Sequence, residues 1–562
     1  MRSRFLFCLL IVAGGVALVL TACGGSSKKK ASAPSGHTGG TLTTVAQAAP
    51  SGSPDTQINY TLQEWQLLII THDGLLAFKR TSGTEGTKIV PDLATAVPKP
   101  QDGGKTYLFH LRKGIKYADG TTVKASDFTR TFERMFAVHG PTAGSFYKVI
   151  VGADACLKTP ASCDLSKNGV VADDGKNTVT FHLTDGDPEF FDKLAVPFAF
   201  VLPPSTPMKE VQLPPPGTGP YKFAQYNPNK QIKLVRNTFF KEWSKDAQPN
   251  GNPDVILQKF GLGPEAEVTQ VENGQADWMF DNVPSDRLGE LSNKYSDQVH
   301  INPLTAVWYF AFNVRVAPFN NLKARQAVNY ATDRNALVKI YGGPKLATPT
   351  CQILPPGFPG YKAYCPYTKN PGSGKWTAPD LAKARQLVAA SGTKGAVVKV
   401  NTQTTDTEKG LGEYFVSLLN KLGYKASLQG LSPDIQYPYC QNSKNAVQFC
   451  WSSWYQDYPA ASDFLNVLLG CGSIVPNSNA SPNIAEFCDK GIQAQMDQAL
   501  KQGITDPSGA NDKWAAVDKA VTDQAPWVAL FNPKYLDFIA KGVKGYQFSP
   551  QWYFLLDQAS VK

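Results

Sequence analysis

The sequence predicts an α/β fold with more than one lobe. Segments that alternate like strands and segments with the 3.6-residue period of helices follow one another along most of the chain. Two proline-rich stretches, at 203–220 and 344–379, interrupt this order. The chain has 562 residues, which is more than one compact core usually holds, so two or three domains are expected.

The first third of the chain combines strands with one clear helix. Phe128, Phe132 and Phe136 recur at helical spacing within 124–138, and Ser126 is the expected N-cap. Alternating segments rich in β-branched and aromatic residues predict strands. These strands are expected at 40–45, 106–112 and 177–183, and the apolar segment 63–70 fits either a helix or a strand.

The remaining two thirds repeat this alternation. Leu322, Val328 and Leu337 fall on one face of a single long amphipathic helix predicted at 321–341. Glycines end several of the other helices, as expected for C-terminal caps. Helices are also predicted at 265–272, 380–391, 411–422, 492–502 and 513–522, and strands at 232–235, 277–280, 305–314, 397–402, 424–428, 527–531 and within 538–546.

The composition is that of an ordinary globular protein. Hydrophobic residues make up 42% and charged residues 18%, and the 47 glycines and 41 prolines are interleaved with apolar runs, so they indicate turns rather than disorder. The formal net charge is +10, and no basic run exceeds the three lysines at 28–30. A nucleic-acid partner is therefore not expected.

The first 23 residues have the features of a lipoprotein export signal. Arg2 and Arg4 form a charged n-region, and the apolar segment 5–20 is shorter than a typical membrane span. It ends in LTAC at 20–23, which looks like a bacterial lipobox. We predict that Cys23 is lipidated and becomes the first residue of the mature protein; plain secretion is the alternative.

Residues 23–39 predict a flexible tether, because Gly, Ser, Lys, Ala and Pro dominate there and cannot build a core. Beyond the leader, no segment has 18 uninterrupted apolar residues, so no further membrane span is expected. We expect the protein on the outer face of the cell membrane, with the membrane as the partner of its lipid anchor.

Eight cysteines remain after Cys8 and Cys23 are assigned to the leader. An even number in an exported protein suggests disulfides, and we expect neighbours in sequence to pair, although other connectivities stay open. No C-x-x-C is present and the six histidines are scattered, so no metal site is expected. The candidate pairs are Cys156/Cys163, Cys351/Cys365, Cys440/Cys450 and Cys471/Cys488.

The motifs do not indicate an enzyme or a cofactor. The sequence GSGK at 372–375 resembles the end of a phosphate loop, but Lys369 stands where the first glycine belongs and Trp376 follows the lysine. There is no G-x-S-x-G elbow and no H-E-x-x-H motif. An exported hydrolase stays open as an unfavoured alternative.

One stretch has the composition of a ligand pocket. Trp451, Trp454, Tyr455, Asp457 and Tyr458 fall within eight residues. Aromatic walls supply apolar contact area, and a single placed charge orients a small molecule. The alternative is a buried strand end followed by a turn.

Four groups of motifs occur in an order that points to one protein family. They are LRKGIKYADG at 111–120 with KASDF at 124–128; GTGPY at 217–221; FN at 312–313 with PF at 318–319, RQAV at 325–328 and ATDR at 331–334; and the segment 454–466. Together they resemble the bacterial extracellular solute-binding proteins of family 5, the peptide- and nickel-binding receptors of ABC importers. The resemblance covers about 40–550.

The resemblance implies a two-lobed α/β fold of the periplasmic-binding-protein type. Its lobes close over the ligand about a hinge, and the first lobe contains an extra subdomain. The predicted division is signal peptide 1–22, tether 23–39, first part of lobe I 40–89, inserted subdomain 90–216, second part of lobe I 217–311, lobe II 312–527 and return to lobe I 528–562.

The resemblance also implies a function. The protein would be a monomeric receptor that binds an oligopeptide or a dipeptide-like solute and delivers it to the membrane permease of an ABC importer. An oligosaccharide or another solute that stacks on aromatic rings is the alternative ligand, because the Trp and Tyr content near 451–458 permits it.

Asp457 is the residue that the resemblance assigns most directly. In peptide-binding members the aspartate of the W-x-x-D-Y motif holds the α-amino group of the peptide, and Asp457 occupies that position. The common DYPDP motif is DYPAA here, so the second acid is missing, and Asp463 is the only nearby substitute. Trp308 and Tyr309 are further candidate pocket aromatics, with core packing as the alternative.

Overall fold

The structure is a computed structural model that describes residues 39–284 and 286–561. The predicted signal peptide, the lipidation site Cys23 and nearly all of the tether lie outside the described residues. Within those residues, no helix is long and apolar enough to cross a membrane.

The described chain alternates strands and helices, which confirms the predicted α/β class. The first ten strands are β1 (Thr41–Ala46), β2 (Leu76–Phe78), β3 (Ile89–Pro91), β4 (Thr106–His110), β5 (Val170–Asp173), β6 (Thr178–His182), β7 (Tyr221–Asn227), β8 (Gln231–Arg236), β9 (Val255–Phe260) and β10 (Trp278–Met279). The helices among them are α1 (Leu62–Thr71), α2 (Ala125–Ala137), α3 (Ala143–Phe146), α4 (Ala153–Lys158), α5 (Phe190–Leu194), α6 (Pro264–Glu272) and α7 (Leu288–Lys294).

The second half of the chain contains the longer helices. Its strands are β11 (Val299–Pro303), β12 (Ala306–Phe312), β13 (Ala347–Pro349), β14 (Val397–Gln403), β15 (Lys425–Leu431), β16 (Phe449–Tyr455), β17 (Trp527–Phe538), β18 (Phe548–Ser549) and β19 (Tyr553–Phe554). Its helices are α8 (Leu322–Ala331), α9 (Arg334–Tyr341), α10 (Leu381–Ser391), α11 (Asp406–Leu422), α12 (Pro433–Gln441), α13 (Ala461–Leu469), α14 (Lys490–Gly503) and α15 (Pro507–Asp523).

Two mixed sheets form the main layers. One has five strands in the order β10-β1-β9-β8-β7, and the other has seven, in the order β11-β17-β12-β16-β14-β15 with β13 beside β17. Strand β1 runs parallel to β9 and β10, and β14 runs parallel to β15 and β16. Every residue of β12 is buried, as expected for a central strand covered on both faces.

A third, smaller sheet lies within the predicted inserted subdomain. It has the antiparallel order β4-β6-β5, and α2 packs on it through Phe132, whose ring lies 5.1 Å from that of Phe181. The N-cap of α2 is Lys124 rather than Ser126. The Asp127 carboxylate accepts the Lys124 backbone N–H at 3.0 Å, while the Ser126 hydroxyl donates to Asp174.

The prediction of a single helix at 321–341 is wrong, because the structure has two helices there. The helical conformation is interrupted between α8 and α9. There the Asp333 carboxylate accepts the backbone N–H groups of Asn335 and Ala336 and so caps α9. The amphipathic pattern continues across this cap, so periodicity alone does not reveal the break.

The seven-stranded sheet extends beyond the range 312–527 predicted for lobe II. It includes β11 and β12 before that range and nearly all of β17 at its end. The two main sheets meet where Trp278 pairs with Ile539 and donates from Nε1 to Asp537 at 2.6 Å. The boundaries between the lobes remain predictions.

The eight cysteines form four disulfides with the local pairing expected from the sequence. Each closes a short loop, with sequence separations from 7 to 17 residues. Loops of this size add about 2–3 kcal/mol each in the chain-entropy model. The pairs are Cys156–Cys163, Cys351–Cys365, Cys440–Cys450 and Cys471–Cys488.

Candidate ligand-binding site

A cavity of about 320 Å³ lies at the carboxyl ends of strands from both main sheets. One side is lined by residues that follow β1 and β10, at 47–49 and 280–282. The other side is lined by residues that end or follow β14 and β16, within 403–408 and at 455–457. Ligands of α/β proteins bind outside the carboxyl ends of strands, and the volume falls within the range of roughly 300–1,000 Å³ for small-molecule pockets.

Aromatic rings make up much of the cavity wall. The rings of Trp308 and Trp451 meet edge to face with centroids 5.4 Å apart, and those of Tyr60 and Trp454 do so at 5.3 Å. Such contacts restrict the orientation of each ring. The aromatic lining residues are Tyr60, Trp65, Phe280, Trp308, Tyr437, Trp451, Trp454, Tyr455, Tyr535 and Tyr553.

Asp457 lies directly after β16, and its side chain lines the cavity while the residue is only 5% exposed. Its Oδ2 accepts the hydroxyl of Tyr60, and its backbone carbonyl accepts the side-chain amide of Gln551. Burial raises the pKa of Asp457 to about 7, against the lowering effect of the Tyr60 hydrogen bond. A ligand cation would favour the ionised form and so bind with loss of a proton near neutral pH.

Asp463 accepts hydrogen bonds that fix the backbone and the neighbouring indole around Asp457. It is fully buried and outside the cavity lining, and its Oδ2 accepts the Asp457 backbone N–H at 2.9 Å and the Trp454 indole N–H at 3.4 Å. Burial, together with the charge of Asp457, holds the pKa of Asp463 well above its usual range. The two carboxyl groups titrate as a coupled pair, and the direction of the shifts favours the proton on Asp463 and the charge on Asp457.

Three further acids line the cavity, and none of its described lining residues is Lys, Arg or His. Asp281 accepts the Gln47 backbone N–H at 2.6 Å, and Glu408 accepts the hydroxyl of Thr405. Burial raises the pKa of Asp281 and of Glu408. The remaining acid, Asp434, lies exposed in the first turn of α12. The described lining therefore contains acidic residues and no basic ones.

The structure brings five of the seven predicted binding residues together. Tyr309 does not line the cavity and instead stacks on Trp527 with centroids 3.6 Å apart. Tyr458 also lies outside the lining and packs against Phe146 at 5.4 Å. The five predicted residues that line the cavity are Trp308, Trp451, Trp454, Tyr455 and Asp457. The roles of all seven residues in ligand binding remain predictions.

Several lining residues were missed because they come from distant parts of the chain. Tyr60 is 397 residues from Asp457 in sequence, and nothing in its local pattern marks it. A usable signal did exist for Asp281 and Glu408, because they lie just beyond the predicted strands 277–280 and 397–402. Acids at the carboxyl ends of strands are candidate site residues in α/β folds.

Within 39–284 and 286–561, no group of three or more His, Cys, Asp or Glu residues is placed to hold a metal ion. The four lining acids therefore do not form a metal centre among the described residues. Ionised carboxylates placed singly act as hydrogen-bond acceptors.

Comparisons with known proteins show what the chain is similar to. The family model "Bacterial extracellular solute-binding proteins, family 5 Middle" matches residues 88–475. The dipeptide-binding protein of Escherichia coli is 25% identical over 487 residues, which are 83% of this chain and 84% of the relative. Heme-binding protein A of Haemophilus influenzae is 26% identical over 516 residues, which are 86% of this chain and 85% of the relative.

The fold also matches solved structures. Haemophilus influenzae OppA, in complex with the peptide RPPGFSPFR, superposes with a TM-score of 0.78 at 20% identity, covering 93% of this chain and 100% of that one. The two-lobed fold expected from the sequence is thereby confirmed, and the protein is a solute-binding receptor of that architecture. The chain belongs to the bacterial extracellular solute-binding proteins of family 5, a family of receptors rather than of enzymes.

Proposed function

We propose that the protein captures a short peptide in the cavity at 47–49, 280–282, 403–408 and 455–457 and delivers it to the permease of an ABC importer. The single observation that carries the proposal is the buried carboxylate of Asp457 within an aromatic lining. A buried carboxylate needs a cationic, hydrogen-bonding partner, and the α-ammonium group of a peptide supplies both.

Two of the three similar proteins support a peptide as the ligand. The relative from Escherichia coli is a dipeptide-binding protein, and the similar structure from Haemophilus influenzae contains a peptide. Identities near 20–26% leave side-chain details free to differ, so the site residues have to be argued from this chain. The cavity volume of about 320 Å³ suits a short peptide rather than a long one.

Closure about the ligand follows from where the lining residues come from. Tyr60 precedes α1, beside the five-stranded sheet, and Asp457 follows β16 of the seven-stranded sheet. A ligand in the cavity contacts residues of both sides, so its binding free energy favours the closed arrangement. The permease would then recognise the closed form.

The remaining parts of the proposal concern the cell surface. Lipidation at Cys23 would anchor the receptor to the outer face of the membrane, and residues 23–39 would give it reach toward the permease. A receptor of this kind works as a monomer and needs neither a cofactor nor catalysis.

The test is to identify the ligand. Mass spectrometry of material that co-purifies with the protein, followed by calorimetry with di- and tripeptides, should find peptides that bind one to one. Recovery of sugars alone would replace the peptide with an oligosaccharide, and cleavage of the bound peptide would indicate a hydrolase. Incubation of each peptide with the protein, followed by chromatography, distinguishes capture from cleavage.

A further inference from the structure

The four lining acids come from four different elements, one beside the five-stranded sheet and three beside the seven-stranded sheet. Asp281 follows β10, whereas Glu408 belongs to α11, Asp434 to α12 and Asp457 to the segment after β16. Each therefore approaches the ligand from a different element. One ammonium group can satisfy one or two of them, but not all four.

The absence of a basic lining residue matters as much as the acids. Among the described residues of the lining, the polar groups other than the acids are amides, hydroxyls and indoles. A free peptide carboxylate placed inside would lose water without gaining a cationic partner, and it would face Asp281, Glu408 and Asp457. Anionic ligands are therefore disfavoured.

Three buried donors in the lining also lack partners. No hydrogen-bond partner among the described residues is found for the indole N–H groups of Trp308 and Trp451 or for the hydroxyl of Tyr553, and these residues are 3%, 6% and 4% exposed. Buried polar groups of native proteins are nearly always paired, so an acceptor from a ligand or an ordered water is the expected partner. Carbonyl oxygens of a peptide backbone are acceptors of the right kind.

We infer that the cavity selects ligands with two or more cationic groups, and that a short peptide with basic side chains is their source. This inference rests on the proposed function, because it specifies the ligand of the same site. Asp457 takes the α-ammonium group, which leaves Asp281, Glu408 and Asp434 for the side-chain cations. The aromatic wall adds cation–π attraction for alkylammonium and guanidinium groups.

The test uses the full chain and calorimetry with trilysine, trialanine, triglutamate and spermidine. Trilysine should bind at least about tenfold more tightly than trialanine, and triglutamate should not bind measurably, because like charges across a desolvated interface repel. Amidation of the trialanine carboxylate should tighten its binding. Spermidine has the cations but no carbonyl groups, so it should bind more weakly than trilysine.

Two substitutions locate the selectivity in the lining. Glu408→Gln keeps an acceptor for the Thr405 hydroxyl, and Asp434→Asn changes an exposed residue, so both variants should fold. Each should lower the ratio of trilysine affinity to trialanine affinity about tenfold. Glu413→Gln, an exposed charge change on the same helix α11 as Glu408, is the control and should change neither.

The outcomes separate the two proposals. Equal affinities for trilysine and trialanine would overturn the charge selectivity and leave the peptide receptor intact. Binding of spermidine alone would support cation selection and overturn the peptide as ligand. If none of the four compounds binds, both proposals fall.

Discussion

Replacing Asp457 with Asn tests the central residue of the site with little change of shape. The side chain is buried, and the amide oxygen of Asn can still accept the hydroxyl of Tyr60. The substitution therefore removes the negative charge while the local hydrogen bonds can persist. The expected loss is the charge-assisted hydrogen bond to the ligand's ammonium group.

A hydrogen bond to a charged group contributes about 1.5–3 kcal/mol. At about 1.4 kcal/mol per tenfold change, the Kd of a bound peptide should rise about 10- to 150-fold in Asp457→Asn. The folded protein should not lose stability. Because burial raises the pKa of Asp457 from 3.8 to about 7, the folded state binds more protons than the unfolded state between these values. Wild-type stability therefore falls as the pH rises through this window, and the variant lacks that decrease.

Calorimetry at pH 8 with a peptide that binds the wild type is the assay, and thermal unfolding at the same pH verifies folding. Asp497→Asn is a matched control, since Asp497 is exposed on α14, away from the cavity lining. An unchanged Kd in Asp457→Asn would show that this carboxylate does not hold the ligand. A lower melting temperature with unchanged binding would instead assign it a structural role.

Three other predictions concern pH, closure and disulfide bracing. With the pKa of Asp457 near 7, the affinity of wild type for a peptide should rise about fivefold from pH 6 to pH 7, where the peptide's α-ammonium group is still mostly protonated. Calorimetry should find no such rise in Asp457→Asn. The Ser462 hydroxyl on α13 donates to Glu189 beside α5, and this hydrogen bond joins predicted lobe II to predicted lobe I. Ser462→Ala should therefore favour the open arrangement and enlarge the unliganded protein in small-angle scattering. Identical scattering would contradict this. Replacing Cys440 and Cys450 by Ser should lower the free energy of unfolding by about 2–3 kcal/mol in denaturant titrations, and an unshifted midpoint would contradict this.

The fold was predictable where local patterns and global packing agree. The alternation of strands and helices indicated the α/β class, and the even number of cysteines in an exported chain indicated local disulfides. The break between α8 and α9 was not predictable from periodicity, because the apolar face continues across the cap at Asp333. Likewise, the 12 residues of β17 bridge strands from separate parts of the sheet, which is a property of long-range pairing.

The site was only partly predictable, and the reason is physical. Residues of one segment, such as Trp451, Trp454 and Asp457, reveal a pocket through their composition. A cavity between two sheets also takes residues from chain segments that no local pattern connects, and Tyr60 and Tyr553 are of this kind. Tyr309 and Tyr458 illustrate the opposite error, since aromatic residues next to pocket residues in sequence can serve the core.

The second acid of the DYPDP motif is missing from this chain, and the nearby Asp463 does not replace it in the cavity lining. Asp463 lies beside Asp457, and burial and the neighbouring charge both raise its pKa, which favours the proton of the pair on Asp463. The two carboxyl groups therefore present one negative charge to the ligand. Any second cation has to find its partner elsewhere, at Asp281, Glu408 or Asp434.

This assignment predicts that Asp463→Asn has little effect on binding. An amide resembles a protonated carboxyl group, and its oxygen can accept the Asp457 backbone N–H and the Trp454 indole N–H as Asp463 does. The Kd should change by less than about threefold, which is under about 0.7 kcal/mol. Asp463→Ala removes both acceptors and should weaken binding more. A loss in Asp463→Asn as large as that in Asp457→Asn would place the charge of the pair on Asp463 and reverse the roles of the two acids.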